Sequence, residues 1–205
     1  MKSRRSKVRH LKTNTKKYHI STDELAKRYE AERSNKSVGF VRNKMKQTRD
    51  IMHETIQKGI KSTEKSTWGL SGGDSHKMYK MLKKSSKMMG NKLTIKAMAY
   101  AMATGEQNSC MRRIVAFPTA GGSGVVPGVL FSSSEHFKAG KRKLLRGMFC
   151  ASAIGLIIAK GATLSAAKGG CQAEIGVAVA MAAAGLTAMR DGTPEQCFDA
   201  AAIGL

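Results

Sequence analysis

A run of small side chains near the carboxyl end of the chain most strongly limits how this sequence can fold. In residues 172–189, half of the side chains are Ala or Gly, none is Pro, and Glu174 is the only charged one. Alanine is the strongest helix former, and the alternation typical of a strand is absent. A helix with such small side chains is stable only when neighbours pack closely against it. We therefore predict a tightly packed helix here.

Helical patterns extend over most of the remaining chain. Ser21-Thr22-Asp23-Glu24 is a candidate capping box that opens a charged helical region up to about residue 60. Thr193-Pro194-Glu195-Gln196 is a second helix start, with Thr as N-cap and Pro at the first helical position. Further helices are predicted at residues 93–109, from residue 125, and at residues 144–160. Without useful strand alternation or a fixed-period repeat, the predicted fold class is all-α.

Charge divides the chain unevenly. Residues 144–205 hold four Lys/Arg and four Asp/Glu, so residues 1–143 carry the whole net charge of +22. We predict a flexible basic arm at residues 1–20, followed by one helical domain at residues 21–205. The basic residues could bind nucleic-acid phosphates or could be solvated helix faces. Aromatic residues make up only 5% of the chain, which does not support a base-stacking surface.

Cysteine use and hydropathy point to a cytoplasmic protein without a membrane span. Cys110, Cys150, Cys171 and Cys197 are too few and too widely spaced for a secreted disulfide scaffold. No signal peptide is visible behind the basic start. The longest apolar stretch, near residues 148–159, is shorter than the ~20 residues that a span requires.

Cys171 stands out among the four cysteines because of its position. It follows Gly169 and Gly170 at the expected start of the small-residue helix. Free backbone N–H groups and the positive end of a helix dipole both favour the thiolate, which is the form that binds metal. Small apolar neighbours leave room for a bulky group such as an iron–sulfur cluster. A buried structural cysteine is the alternative interpretation.

Three glycine loops are candidates for anion binding. We call residues 71–74, 118–124 and 169–171 the first, second and third glycine loops. Glycine-rich loops at helix starts present backbone N–H groups that can bind carboxylates or phosphates, although each could also be a plain turn. None matches a Walker A loop or a dinucleotide-binding fingerprint. His76 could act as a base, but its position favours a solvent-facing helix residue.

Four segments resemble the α subunit of the two-subunit, iron–sulfur-dependent bacterial L-serine dehydratase family, and they occur in the family's order. They are Gly69-Leu70-Ser71-Gly72-Gly73-Asp74, Pro118-Thr119-Ala120-Gly121-Gly122-Ser123-Gly124-Val125-Val126-Pro127-Gly128-Val129-Leu130, Gly169-Gly170-Cys171-Gln172-Ala173-Glu174-Ile175-Gly176 and Gly192-Thr193-Pro194-Glu195-Gln196. The second and third segments are long and specific. The resemblance extends weakly back to about residue 21.

The resemblance implies a catalytic helical fold around a [4Fe-4S] cluster held by three cysteines, of which Cys171 aligns with the first. It implies α,β-elimination of L-serine to pyruvate and ammonia, with an open iron acting as a Lewis acid on the serine hydroxyl. It also implies a β subunit as partner, and a cytoplasmic role in amino-acid degradation and gluconeogenesis. A homo-oligomer is a further expectation. The sequence does not identify the base.

The glycine loops provide the candidate substrate site. Their backbone N–H groups can hold the carboxylate of L-serine and so orient its Cα–H bond. We predict this role for six residues of the first two loops. They are Ser71, Gly72, Asp74, Thr119, Ala120 and Gly121.

The sequence also departs from the family pattern. The family continues past the helix that starts at Thr193 and carries its other two cluster cysteines there, whereas Cys110, Cys150 and Cys197 do not align with ligand positions. We therefore expect a C-terminally truncated member with apolar surface left for a partner. The alternatives are a non-catalytic family member or gene fragment that acts at most as a binding protein, and a basic nucleic-acid-binding protein.

Overall fold

The computed structural model describes residues 20–84 and 90–205. The arm expected at residues 1–20 lies outside the described residues except for Ile20. Over the described ranges the chain is all-α and contains no strand, which confirms the predicted fold class. These ranges form eight helices: α1 (Thr22–Ser34), α2 (Val38–Gly59), α3 (Asp74–Lys84), α4 (Lys92–Ser109), α5 (Val125–His136), α6 (Lys141–Ala159), α7 (Ala166–Met189) and α8 (Pro194–Gly204).

The small-residue helix α7 packs against α5, α6 and α8 at the centre of the fold. It runs antiparallel to α6, and the two backbones touch where Gly147 meets Gly185. A Cβ atom added at Gly147 would lie 2.7 Å from the Gly185 carbonyl oxygen, and one at Gly185 would lie 2.9 Å from the Gly147 carbonyl oxygen. The predicted tight packing is confirmed, because only glycine at both positions permits this approach.

By length and apolar composition alone, α7 could cross a membrane, and it is the one helix of the described ranges for which this holds. Half of its most apolar window is buried inside the fold. A core helix of a folded domain passes the same test of composition.

The helical region expected up to residue 60 is divided in two. Asn35 ends α1 in the left-handed conformation, with φ of 51°. The hydroxyl of Ser37 then accepts a hydrogen bond from the Phe40 N–H at 3.1 Å and starts α2. At the start of α1, Ser21 makes no side-chain capping bond, so the first expected capping box is wrong. The helix start expected at Thr193 is confirmed, and Thr193 and Gln196 form a capping box with reciprocal bonds of 2.9 and 3.3 Å.

One large apolar core lies among α2 and α4–α8, and Ile56, Tyr100, Leu130 and Met148 are almost completely buried in it. A smaller cluster joins α1 and α2 to Phe149 of α6. This core fixes the ends of α4 and α7, which carry the candidate site.

Candidate functional site

The C-terminal end of α4 lies between the first two glycine loops and holds both of them. Glu106 and Asn108 are in its last turn. Glu106 receives hydrogen bonds from the end of the first loop, and the Asn108 side-chain amide donates to the Ala120 carbonyl oxygen of the second loop at 3.3 Å. These two loops therefore lie around one helix end.

The first glycine loop holds a carboxylate from its own chain. The Glu106 side chain accepts from the N–H groups of Gly73, Asp74 and Ser75 at 3.1, 2.9 and 3.0 Å, and from the Ser75 hydroxyl at 2.6 Å. Glu106 is only 7% exposed. The carboxylate lies at the N-terminal, positive end of the α3 dipole. Glu106 therefore caps α3, although it is distant from this helix in the sequence.

Some other polar groups of the first loop form local contacts. The Ser71 N–H donates to the Ser66 hydroxyl at 3.2 Å, and the Asp74 carboxylate pairs with Lys77 at 2.9 Å. Gly72 is buried, with φ of 117°, and its backbone lies against residue 64. The substrate role of Ser71, Gly72 and Asp74 stays a prediction, and the Asp74 N–H is bound to Glu106.

The second glycine loop packs on the start of α7. The Thr119 hydroxyl donates to the Glu174 carboxylate and accepts from the Gly122 N–H at 3.1 Å. A Cβ atom at Gly121 would lie 2.6 Å from Oε2 of Glu174, so this glycine leaves room for the carboxylate. Glu174 thus fixes the shape of the loop through Thr119 and Gly121.

Two backbone donors of the second loop remain open. Ala120 and Gly121 are exposed, and their N–H groups have no acceptor among the described residues. Adjacent backbone N–H groups in a glycine loop form an anion-binding concavity. A carboxylate could bind at this point without displacing a side chain of the chain itself.

Cys171 lies on α7, near the Glu174 that contacts this loop. Gly170 breaks α7 with φ of 80° and ψ of 164°, and Cys171 follows it with an exposed side chain. α7 begins at Ala166, so helical structure precedes the Gly170 kink as well as following it. Cys171 precedes Glu174 by three residues, so the two lie on the same face of the helix. The last residue of the third loop is thus one helical turn from Glu174, which binds the second loop.

The other cysteines lie elsewhere. The Cys110 thiol is 3.9 Å from the carbonyl oxygen of Glu64, and Cys150 and Cys197 are buried together in the core. A hydrogen bond with Cys197 and burial both raise the pKa of Cys150 well above the usual thiol range. Its protonated thiol is directed at the Ala184 carbonyl oxygen at 3.5 Å.

These positions decide whether the chain alone fits an iron–sulfur cluster. All four cysteines lie within the described ranges, and no group of three or more His, Cys, Asp or Glu side chains suited to a metal occurs there. Cys171 offers one accessible soft donor, whereas a cluster of this kind requires several thiolates. The residues of this chain therefore do not form a complete cluster site.

Sequence reasoning missed the roles of Glu106 and Glu174. Glu174 lies within a quoted motif, one turn after Cys171, and this spacing could have indicated it. Glu106 binds residues 31–33 positions away and gives no local signal. The solvent-facing interpretation of His76 is wrong: the residue is half-buried, and its Nδ1 lies 3.0 Å from the Ile60 carbonyl oxygen.

Comparison with known proteins supports the resemblance in the motifs. Residues 16–205 match the family described as serine dehydratase alpha chain. The chain is 38% identical over 198 residues to a probable L-serine dehydratase alpha chain of Bacillus subtilis, and 36% identical over 184 residues to an L-serine dehydratase alpha chain of Peptoniphilus asaccharolyticus. These alignments cover 97% and 90% of this chain.

The matches cover smaller shares of the relatives. The chain spans 65% of the Bacillus protein and 63% of the Peptoniphilus protein. It is also 41% identical over 107 residues to the L-serine dehydratase TdcG of Escherichia coli, covering 52% of this chain and 24% of that protein. Since the family match takes in every described helix and all three glycine loops, this chain belongs to the serine dehydratase alpha chain family.

Proposed function

We propose that this protein is an α subunit of an L-serine dehydratase, which eliminates water from L-serine to give an enamine. Addition of water to the imine form of this product then releases pyruvate and ammonia. The family and the names of its relatives support this reaction. The observation that carries the proposal is the pair of unbonded N–H groups at Ala120 and Gly121, beside Glu174, which follows Cys171 by one helical turn.

The carboxylate of L-serine binds the N–H groups of Ala120 and Gly121. Two backbone donors would fix the carboxylate and orient the Cα–H bond for proton removal. Thr119 and Glu174 act as positioning residues, because their hydrogen bond holds the loop on α7. The first loop, with Ser71, Gly72 and Asp74, closes the other side of the site and is held to α4 by Glu106.

Cys171 is proposed as a ligand of a [4Fe-4S] cluster. Its exposed thiol after the Gly170 kink suits a soft metal. The further thiolates would come from polypeptide outside this sequence, since Cys110, Cys150 and Cys197 lie elsewhere.

A β subunit is the proposed partner in a cytoplasmic enzyme. Trp68 and Leu70 lie just before the first glycine loop, and they are 85% and 89% exposed. Large exposed apolar side chains, Trp in particular, are typical of protein interfaces. Their position next to the site suits a partner that covers the substrate.

Anaerobic reconstitution tests this proposal. The full chain, alone and mixed with a β chain of an L-serine dehydratase, is supplied with iron and sulfide, and bound iron, sulfide and pyruvate formed from L-serine are measured. We expect pyruvate in the mixture and its loss, together with bound iron, in Cys171→Ala.

Cys110→Ala is the matched control, because this cysteine is also partly accessible but lies at the end of α4. It should retain both iron and activity. Absence of pyruvate and iron under all conditions would instead indicate a non-catalytic family member.

A further inference from the structure

A strongly basic cleft lies away from the glycine loops. It has a volume of about 970 Å³ and is formed by α1, α2, the start of α6 and the turn after α7. Because α6 and α7 are antiparallel, this cleft and Cys171 lie at opposite ends of the helix pair. The 19 residues of α6 separate the ends by about 28 Å.

The cleft contains many more cations than acids. Its acidic residues are Asp23, Glu24 and Asp191. Its basic residues are Lys27, Arg42, Lys46, Arg49, Lys141, Arg142, Lys143 and Arg146. A concave wall of one charge sign concentrates counter-ions of the opposite sign.

The acids of the cleft are already engaged. Asp23 pairs with Lys27 at 2.8 Å and with Arg146 at 3.3 Å, and Glu24 pairs with Lys27 at 3.3 Å. Asp191 pairs with Arg146 at 2.7 Å and with Lys143. These ion pairs join the elements that form the cleft, and they neutralise only part of its positive charge.

Four cations of the cleft have no carboxylate partner. Arg42, Lys46, Lys141 and Arg142 are exposed and form no ion pair with any described residue. All 14 Asp and Glu residues of the chain lie within the described ranges, so no other part of this sequence can neutralise them.

The start of α6 adds to this excess. Its first turn contains Lys141, Arg142 and Lys143 and no acid, and its N-cap is Gly140, which has no side chain to cap the helix. Cations at a helix N-terminus are unfavourable because the helix dipole is positive there. An anion bound in the cleft would remove this repulsion.

We propose that this cleft binds a compact anion with several adjacent phosphate groups, such as inorganic triphosphate or the triphosphate of a nucleotide. Arginine side chains form paired hydrogen bonds with phosphate, and Arg42 and Arg142 approach the cleft from two different helices. The volume is in the range of small-molecule pockets. A concave site of this size favours a compact ligand over an extended nucleic acid.

Calorimetric titration of the full chain with sodium triphosphate tests the proposal. We expect saturable binding in about 0.1 M NaCl, where long-range attraction is screened. The double variant Arg42→Glu/Arg142→Glu should weaken binding by at least about tenfold. These two arginines hold no carboxylate, so the ion pairs of Asp23 and Asp191 stay intact.

The matched control is Lys80→Glu/Lys92→Glu, which changes the net charge equally at exposed positions of α3 and α4 outside the cleft. It should bind triphosphate almost as the unmodified chain does. Equal weakening in both double variants, or binding of a short duplex DNA without binding of triphosphate, would overturn the proposal. Arg42→Gln/Arg142→Gln, compared by circular dichroism and titration, separates lost binding from lost folding.

Discussion

At the scale of a residue, Gly121 keeps open the space that the Glu174 carboxylate occupies. A Cβ atom at this position would lie 2.6 Å from Glu174 Oε2, so Gly121→Ala must displace this flexible side chain. The Thr119 hydroxyl would then lose its acceptor, and the loop donors would shift. Under the proposed function, we expect KM for L-serine in the reconstituted mixture with a β chain to rise about tenfold with a smaller change in kcat, measured by steady-state pyruvate formation.

Gly105→Ala serves as the control for this change. It lies on α4, and nothing is within 4 Å of the added Cβ atom. Unchanged kinetics in both variants would refute the positioning role of Glu174.

Glu106 of α4 is the residue whose loss should most destabilise the first loop. In Glu106→Gln, one oxygen that accepts from backbone N–H groups is replaced by a donor. A buried donor left without a partner costs about 1–3 kcal/mol, so the free energy of unfolding should fall by that amount. Denaturant unfolding measures it, with Glu32→Gln on the exposed face of α1 as the control. Equal stability of the two variants would show that Glu106 does not cap α3.

Local signals predicted some of these residues and could not predict others. Thr193 and Gln196 cap α8 within four residues of each other, and Cys171 follows two glycines, so both are readable in sequence. Glu106 acts on residues 31–33 positions away, and the contact of Cys150 with Cys197 joins two helices. Such contacts exist only once the helices have packed.

At the scale of an element, the crossing of α6 and α7 depends on two glycines. A methyl group at Gly185 would lie 2.9 Å from the Gly147 carbonyl oxygen and 3.3 Å from the Ala151 Cβ. The Gly147 carbonyl oxygen is a backbone atom and cannot move aside as a flexible side chain can. Gly185→Ala should therefore destabilise the protein by about 1–3 kcal/mol.

Denaturant unfolding of Gly185→Ala and Gly105→Ala separates this clash from a general effect of alanine. The open site at Gly105 should gain about 0.4–1 kcal/mol, because alanine restricts the unfolded chain. If Gly185→Ala were also stabilising, the close approach of the two helices would be wrong.

Asp23 joins α1 to α6 through its ion pair with Arg146. The stability of the contact between these two helices should therefore depend on pH. Burial alone would raise the pKa of Asp23, but hydrogen bonds from Lys27 and Ser21 and the charges of Lys27 and Arg146 lower the pKa below its usual value. A lowered folded-state pKa means that the stabilisation is complete above about pH 5 and is lost as pH falls through the folded-state value.

Asp23→Asn should therefore be less stable at pH 7 and show a flatter loss of stability between about pH 5 and pH 2. Urea unfolding across this range measures the slope. Asp199→Asn, at an exposed position on α8, should keep the slope of the unmodified chain. An unchanged slope in Asp23→Asn would count against this role.

Helix positions were largely predictable, because apolar periodicity and caps are local. The limits of α4 and α8 agree closely with expectation, whereas the break at Asn35 was not predicted and α7 begins at Ala166, before its expected start at residue 172. A left-handed Asn depends on where the next helix must pack, and the charged helical pattern continues across it. Tertiary packing therefore decides where the chain changes direction.

At the scale of the whole molecule, the net charge of +22 opposes compactness. Repulsion among the unpaired cations is screened by salt. We expect the unfolding temperature to rise by about 2–4 °C, or about 1 kcal/mol, on raising NaCl from low to moderate concentration. Calorimetric scans at several chloride concentrations measure this effect. A fall in unfolding temperature would show that the surface ion pairs outweigh the repulsion.

The bond network of Glu106 has a consequence for the exchange of backbone protons with solvent. First-turn N–H groups of a helix normally lack intrahelical acceptors and exchange rapidly. At the start of α3, the amides of Gly73, Asp74 and Ser75 are bound to a carboxylate carried by another helix. Their deuterium uptake should therefore be slow, and its rate should depend on how often α3 separates from α4. The exchange of these three amides thus reports whether the two helices remain packed together.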